Sequence, residues 1–211
     1  MKKKISNAVL KRLPSYLAYL KAIEDPNTPY ISATTLANAL GMGDVQVRKD
    51  LAMVSEGGRP KVGYLRENLI EDIEQFLGYD NTTDAVLIGA GKLGQALMDH
   101  KGFEEYGLNI LAGFDVNPTS ESTEDGRPIY PMEKLESFCR ANKVLMGIIC
   151  VPAPYAQDVC DQLIKCGIKA IWTFATVHLD VPPHILVQYE NMATSLAVLS
   201  MHLQAHIKEK K

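Results

Sequence analysis

The segment Gly89-Ala90-Gly91-Lys92-Leu93-Gly94 follows the apolar run Ala85-Val86-Leu87-Ile88 and opens an amphipathic stretch, and this restricts the chain more than any other feature. Three glycines at that spacing arise by chance in loops. Here a strand-like run precedes them, a helix-like stretch follows, and a second apolar run, Ile110-Leu111-Ala112-Gly113-Phe114, ends on the acid Asp115. That order describes a βαβ unit built around an anion. Gly89 permits the tight turn, Gly91 lets backbone N–H groups approach a pyrophosphate, and Gly94 lets the helix pack on the strand. The helix N-terminus supplies the positive pole. The expectation is a dinucleotide site formed by Gly89, Ala90, Gly91, Lys92, Leu93, Gly94 and Asp115. It is of NAD(H) type, because Asp115 suits the ribose hydroxyls and no Arg follows it to accept a 2′-phosphate.

About eighty residues precede this motif, whereas a dehydrogenase usually starts its nucleotide domain near the N-terminus. Residues 1–66 carry eleven Lys/Arg against five Asp/Glu, a net of +6, while the whole chain of 211 residues sums to −3. The remainder therefore carries −9, and the asymmetry points to an anionic partner, nucleic acid, for the first module only. With 46% apolar and 22% charged residues the chain suffices for two small globular domains, and its composition does not indicate disorder. No apolar run is long enough for a membrane span, and Met1-Lys2-Lys3-Lys4 lacks the apolar core of a signal peptide, so a cytoplasmic location is expected. Cys139, Cys150, Cys160 and Cys166 have neither metal-site nor disulfide-framework spacing. Cys150 and Cys160 read as small buried hydrophobes; for Cys166, just before Gly167, an exposed and oxidisable thiol is the alternative to the favoured reading, an inert one, because nothing nearby marks it as activated.

Within the basic module, Asn7 suits the cap of a helix with Leu10, Leu13, Leu17 and Leu20 on one face, kinked or split at Pro14 and ended by Asp25-Pro26-Asn27-Thr28-Pro29. Ser32 suits the N-cap of a short helix from Ala33 to Leu40, stopped by Gly41. A second helix from about Asp44 to Val54 turns Val47, Leu51 and Val54 inward. Two short helices about a glycine turn describe a helix-turn-helix. Its second helix then offers Gln46, Arg48 and Lys49 to the major groove, with Arg48 the main base reader. The stretch Glu56 to Tyr64 reads as a Gly-rich hairpin, a wing whose Arg59 and Lys61 reach phosphates or a minor groove. Arg12 and Ser32 complete the candidate DNA-binding residues. A helix from Arg66 to Leu77 closes the module; an all-helical oligomerisation cap is the alternative.

Gly78 to Asp84 reads as a linker. Beyond it, strands at Val144–Cys150, Ala170–Phe174 and Ile185–Val187 alternate with a helix at Tyr155–Cys166, as in a parallel sheet, and polar Asn117–Arg127 reads as a mobile loop. Ala193, Leu196, Leu199, Leu203 and Ile207 form an apolar stripe on a C-terminal helix that packs on its own core or on another subunit. The domain division is therefore 1–80, a winged helix-turn-helix; 81–190, a Rossmann-like α/β domain; and 191–211, the terminal helix.

This constellation resembles the Rex family of bacterial redox-sensing transcriptional repressors over nearly the whole chain. Leu10-Lys11-Arg12-Leu13-Pro14-Ser15-Tyr16 resembles the family's opening helix, Gln46-Val47-Arg48-Lys49-Asp50-Leu51 its recognition helix, and Val62-Gly63-Tyr64 the end of its wing. Ile88 to Leu97 and Phe114-Asp115-Val116-Asn117-Pro118 resemble its nucleotide fingerprint. Val151-Pro152-Ala153, Gly167-Ile168-Lys169 and Phe174-Ala175 resemble later strand ends, which adds Val151, Pro152 and Phe174 to the cofactor site. The resemblance implies a homodimer with exchanged C-terminal helices that binds a palindromic double-stranded operator and releases it when NADH binds, without catalysis. Three positions depart from the pattern. His100 stands where family members carry a Tyr near the nicotinamide, Asn191 where an Asp helps join subunits, and Thr176 where a Pro follows Phe-Ala. A competing reading is a small NAD-dependent oxidoreductase with an N-terminal appendage, using His178 or His184 as proton donor. The roughly 130 residues after the linker leave no room for a substrate domain.

Overall fold

The computed structural model describes residues 6–24 and 29–209. The chain divides into two compact units, Met1–Asn81 and Thr82–Lys211.

In the first unit, α1 (Asn7–Lys21) buries Val9, Leu13, Tyr16, Leu17 and Leu20. The N-cap is Ser6 rather than the expected Asn7, and of the two expectations for Pro14 the split does not occur: Pro14 lies inside one continuous helix. Pro14 removes only the bond to the Leu10 carbonyl, and Leu10 is on the exposed side, where water serves that oxygen. Leu10 consequently falls outside the buried stripe. The turn proposed for residues 25–28 lies outside the described residues. Strand β1 (Tyr30–Ile31) leads into α2 (Ala33–Ala39), whose N-cap Ser32 accepts a hydrogen bond from Thr35 N at 3.0 Å. Gly41, with φ +64°, turns the chain into α3 (Asp44–Val54), which buries Val47, Asp50 and Leu51. The wing is smaller than a hairpin. Arg59 N donates to Gly63 O at 2.8 Å and Gly63 N to Arg59 O at 2.9 Å, closing a loop over Pro60-Lys61-Val62. Its outgoing strand β2 (Tyr64–Leu65) pairs antiparallel with β1 instead. Helix α4 (Arg66–Leu77) buries Leu69 and Ile73, ends on Gly78 at φ +76°, and ties to α1 through Lys21–Glu74 at 2.7 Å.

The second unit is a six-stranded, wholly parallel sheet of Rossmann-like type. Its strands are β3 (Thr83–Ile88), β4 (Leu108–Asp115), β5 (Ile129–Pro131), β6 (Met146–Ile149), β7 (Ala170–Thr173) and β8 (Leu186–Tyr189), in the spatial order β5-β4-β3-β6-β7-β8. Strand β3 reaches back to Thr83 because Thr83 and Asp84 pair with Leu108 and Asn109, so the expected linker is already sheet at its end. On one face α5 (Lys92–Met98) covers Leu87, Ile110 and Ile148. On the other, α6 (Leu135–Asn142) and α7 (Ala153–Lys165) cover Val86, Ile88, Phe114 and Ile149. The segment 117–127 is pinned rather than loose. Thr123 is buried and donates to Asp99, and Arg127 donates to the Ile110 carbonyl at 2.6 Å and to Glu104 at 2.7 Å. Helix α8 (Met192–Glu209) leaves Leu196, Leu199, Leu203 and Ile207 each more than half exposed. Among the described residues no helix is long and apolar enough to cross a membrane.

Candidate nucleotide crevice and nucleic-acid interface

The sheet order reverses between β3 and β6, and outside the carboxyl ends of those strands lies a crevice of about 550 Å³. Gly89, at φ +95°, makes the turn out of β3, and a Cβ there would lie 2.8 Å from the Cys150 backbone. A Cβ on Gly94 would collide with the Gly89 carbonyl oxygen, so this glycine lets α5 lie against the turn. Gly91 differs from both: its backbone is ordinary and a Cβ would meet no protein atom within 4 Å. What that missing Cβ leaves clear is the crevice itself, the cradle a pyrophosphate needs beside the α5 N-terminus. Gln95 braces the turn by donating to Ala90 O at 2.8 Å.

Asp115, at the end of β4, accepts from Asn117 N at 2.9 Å, which fixes the carboxylate at the crevice. Its walls include Gly89, Gly91, Asp115, Val151 and Pro152. Ala90, in the turn, and Lys92, Leu93 and Gly94, on the first turn of α5, do not line the cavity. Phe174 does not line it either; its ring packs on Trp172 at 5.0 Å on the α5 face. His100 is likewise away from the crevice, because α5 carries the chain seven residues, about 10 Å, from its mouth. There His100 is exposed, with its ring edge-on to Phe103 at 4.7 Å.

Sequence reasoning missed Met132, Tyr155, Asp158 and Gln162, which also line the cavity. The last three stand along α7, Tyr155 and Asp158 on its first two turns and Gln162 on its third, and the signal was Pro154 just inside a helix start after the strand that follows the switch point. Cys150 lines the crevice and is half-buried rather than buried, and burial pushes its thiol up to about 12. Among the described residues the charged side chains in the lining are Asp115 and Asp158, so the crevice offers an anion no side-chain cation, only the backbone N–H groups of the glycine turn. Among the described residues no cluster suits a metal ion.

In the first unit, a groove of about 460 Å³ is walled by Ser32 and Thr34 at the start of α2, Arg48 on α3, and Arg59 and Lys61 on the wing. Three cations thus converge beside the α2 N-terminus, an arrangement suited to a phosphate backbone. Lys61 is held at φ +65° at the wing tip. Gln46, Arg48 and Lys49 are exposed on α3, opposite its buried Val47 and Leu51. Arg48 is held by Asp44 at 2.7 Å, and Asp44 in turn accepts from Thr34 at 2.8 Å.

Arg12 has a structural part that the sequence does not reveal. Its Nε and Nη2 donate to the two oxygens of buried Asp50 at 2.7 and 2.9 Å, and Tyr16 donates to the same carboxylate at 2.8 Å. The Asp50 hydrogen bond raises the Arg12 pKa above its ordinary value, whereas burial pushes the Tyr16 phenol up to about 12, with Asp50 adding to the rise. Arg12 is therefore a strut between α1 and the outward helix α3.

Comparison with known proteins gives two family matches, one described as "Putative DNA-binding protein N-terminus" over residues 4–52 and one as "CoA binding domain" over residues 80–177. The redox-sensing transcriptional repressor Rex of Treponema denticola is 40% identical over 193 residues, covering 91% of this chain and 92% of its own. That of Carboxydothermus hydrogenoformans is 38% identical over 202 residues, covering 95% and 97%. Among solved structures, RSP in complex with β-NAD+ and operator DNA superposes with a TM-score of 0.87 at 34% identity, covering 99% of this chain and 97% of that one. RSP in complex with β-NADH superposes with a TM-score of 0.83 at 34% identity, covering the whole of both.

Proposed function

The chain belongs to the Rex family of redox-sensing transcriptional repressors, and from that premise we propose that it binds an operator when NADH is scarce and leaves it when NADH accumulates. One observation carries this reading: the chain that matches it at a TM-score of 0.87 holds β-NAD+ and operator DNA together, and both faces needed for that are present here. Gly89, Gly91, Val151 and Pro152 hold the dinucleotide, with Asp115 on the adenine ribose. Arg48 and Lys49 on α3 contact the major groove, and Ser32, Arg59 and Lys61 contact phosphate. Regulation needs no chemistry. A ligand that binds the DNA-incompetent state better must weaken DNA binding by the same factor.

The competing oxidoreductase reading loses its support. Relatives that match over nine-tenths of the chain are repressors, and His178 and His184 are exposed and do not line the crevice. A palindromic operator requires a two-fold protein, and the uncovered apolar stripe of α8 supports a homodimer held by that helix. A cytoplasmic location goes with this reading, since that is where operator DNA is met.

Binding-site selection with the full chain on random duplexes tests the DNA half of this account. A palindrome should be enriched. Arg48→Ala should cost about 1–3 kcal/mol on it and relax the preference at one position per half-site, while Lys61→Ala weakens all sequences alike. Unchanged affinity for Arg48→Ala would remove α3 as the recognition helix.

A further inference from the structure

We propose that Gln46 reads DNA through its amide NH₂ alone, because Arg12 takes its carbonyl oxygen, and that the base it specifies is therefore guanine rather than adenine. The proposal rests on the DNA-binding reading above. Arg12 cannot easily leave its place: two of its nitrogens hold Asp50, whose carboxylate is buried in the unit and also bound by Tyr16. A guanidinium has donors only, so the group of Gln46 that faces it is the carbonyl oxygen. In that orientation the oxygen accepts from Arg12 Nη1 at 3.0 Å and from Nε, shared with Asp50, at 2.9 Å. The opposite orientation would set an NH₂ group against a cation.

A glutamine with both ends free reads adenine, donating to N7 and accepting from the N6 amino group. Here the accepting end is occupied by a charged donor, which makes the stronger bond. What remains for the groove is an NH₂ with two hydrogens, on an exposed side chain beside Arg48 and Lys49. Guanine is the base whose major-groove edge offers two acceptors, O6 and N7, with no donor of its own. Arg12 is thus a positioning residue that sets specificity through Gln46 without touching a base.

The test uses the full chain and randomised palindromic duplexes, with wild type, Gln46→Ala and Arg12→Lys, the folding of each followed by thermal unfolding. Wild type is expected to enrich a guanine, distinct from the Arg48 position, that becomes degenerate in Gln46→Ala. Replacing that guanine by 7-deazaguanine, which lacks the N7 acceptor, should weaken wild type about five- to tenfold and leave Gln46→Ala unchanged. Arg12→Lys, whose single nitrogen is drawn to the buried Asp50 carboxylate and lacks the fork that spans Asp50 and the Gln46 carbonyl together, should shift that position toward adenine. If Arg12→Lys does not fold, the 7-deazaguanine comparison decides alone. An adenine at the position lost in Gln46→Ala, or no position lost, overturns the proposal. Enrichment of no sequence by wild type overturns instead the DNA-binding reading on which it stands.

Discussion

Arg12 on α1 and Asp50 on α3 are joined by a two-pronged ion pair, Nε to Oδ2 at 2.7 Å and Nη2 to Oδ1 at 2.9 Å, that fixes the recognition helix to the core of its own unit. Asp50 is the only charged residue among the buried side chains of that unit's described residues. Its two partners keep it from being an uncompensated charge. Removing Arg12 would leave the buried Asp50 carboxylate with Tyr16 alone and no counter-charge, at a cost of about 3 kcal/mol.

Tyr16, the third member of this network, makes the first unit sensitive to alkaline pH. In the unfolded chain a tyrosine ionises near pH 10, whereas burial first and Asp50 second push the native phenol up to about 12. Because the neutral form is the one the fold favours, its contribution is whole below pH 10 and is lost as pH rises toward 12, by about 2–3 kcal/mol. Thermal unfolding between pH 8 and pH 12 should show this fall, and Tyr16→Phe should flatten it. An unchanged slope in Tyr16→Phe would detach the phenol from the effect.

Gly91 and Gly94 should separate binding from folding. Gly94→Ala pushes a methyl into the Gly89 carbonyl and should destabilise the second unit by about 1–3 kcal/mol in denaturant titrations followed through Trp172. Gly91→Ala meets no protein atom, so stability should stay within about 0.5 kcal/mol of the parent while NADH affinity falls at least about tenfold. A Gly91→Ala protein that binds NADH normally would show that the pyrophosphate lies elsewhere.

Much of this was legible in the chain because its signals are local. The recognition helix runs Asp44–Val54 as its pattern predicts, Ser32 caps α2, and the glycine turn follows its strand, since each depends on residues within a few positions of one another. What was illegible depends on partners far along the chain. Arg12 reads only as a candidate DNA-binding residue, and nothing nearby in the sequence shows that Asp50, thirty-eight residues on, holds its guanidinium. The 117–127 segment is polar enough to read as loose, yet Thr123 and Arg127 are anchored on Asp99 and the Ile110 carbonyl. Cavity residues Tyr155, Asp158 and Gln162 carry no motif, because the α7 face they share is defined only once β6 pairs with β3.

Helix α8 should hold two subunits together. Leu196, Leu199 and Leu203 recur on one exposed face with no cover from their own unit, a surface a lone protein in water rarely leaves bare. Leu199→Glu combined with Leu203→Glu should convert a dimer to a monomer in light scattering and abolish high-affinity palindrome binding. A variant that remains a dimer would place the subunit contact on another surface.

The most direct measurement is the affinity of the full chain for its selected palindrome, by fluorescence anisotropy, with NADH, NAD+ or NADPH added separately at one salt concentration. NADH should weaken DNA binding by the factor by which DNA weakens NADH binding; NAD+ should leave the complex intact. NADPH should act only at far higher concentration, because Asp115, proposed to hold the adenine ribose, would repel its 2′-phosphate. DNA affinity that is the same with saturating NADH as with NAD+ would contradict the account.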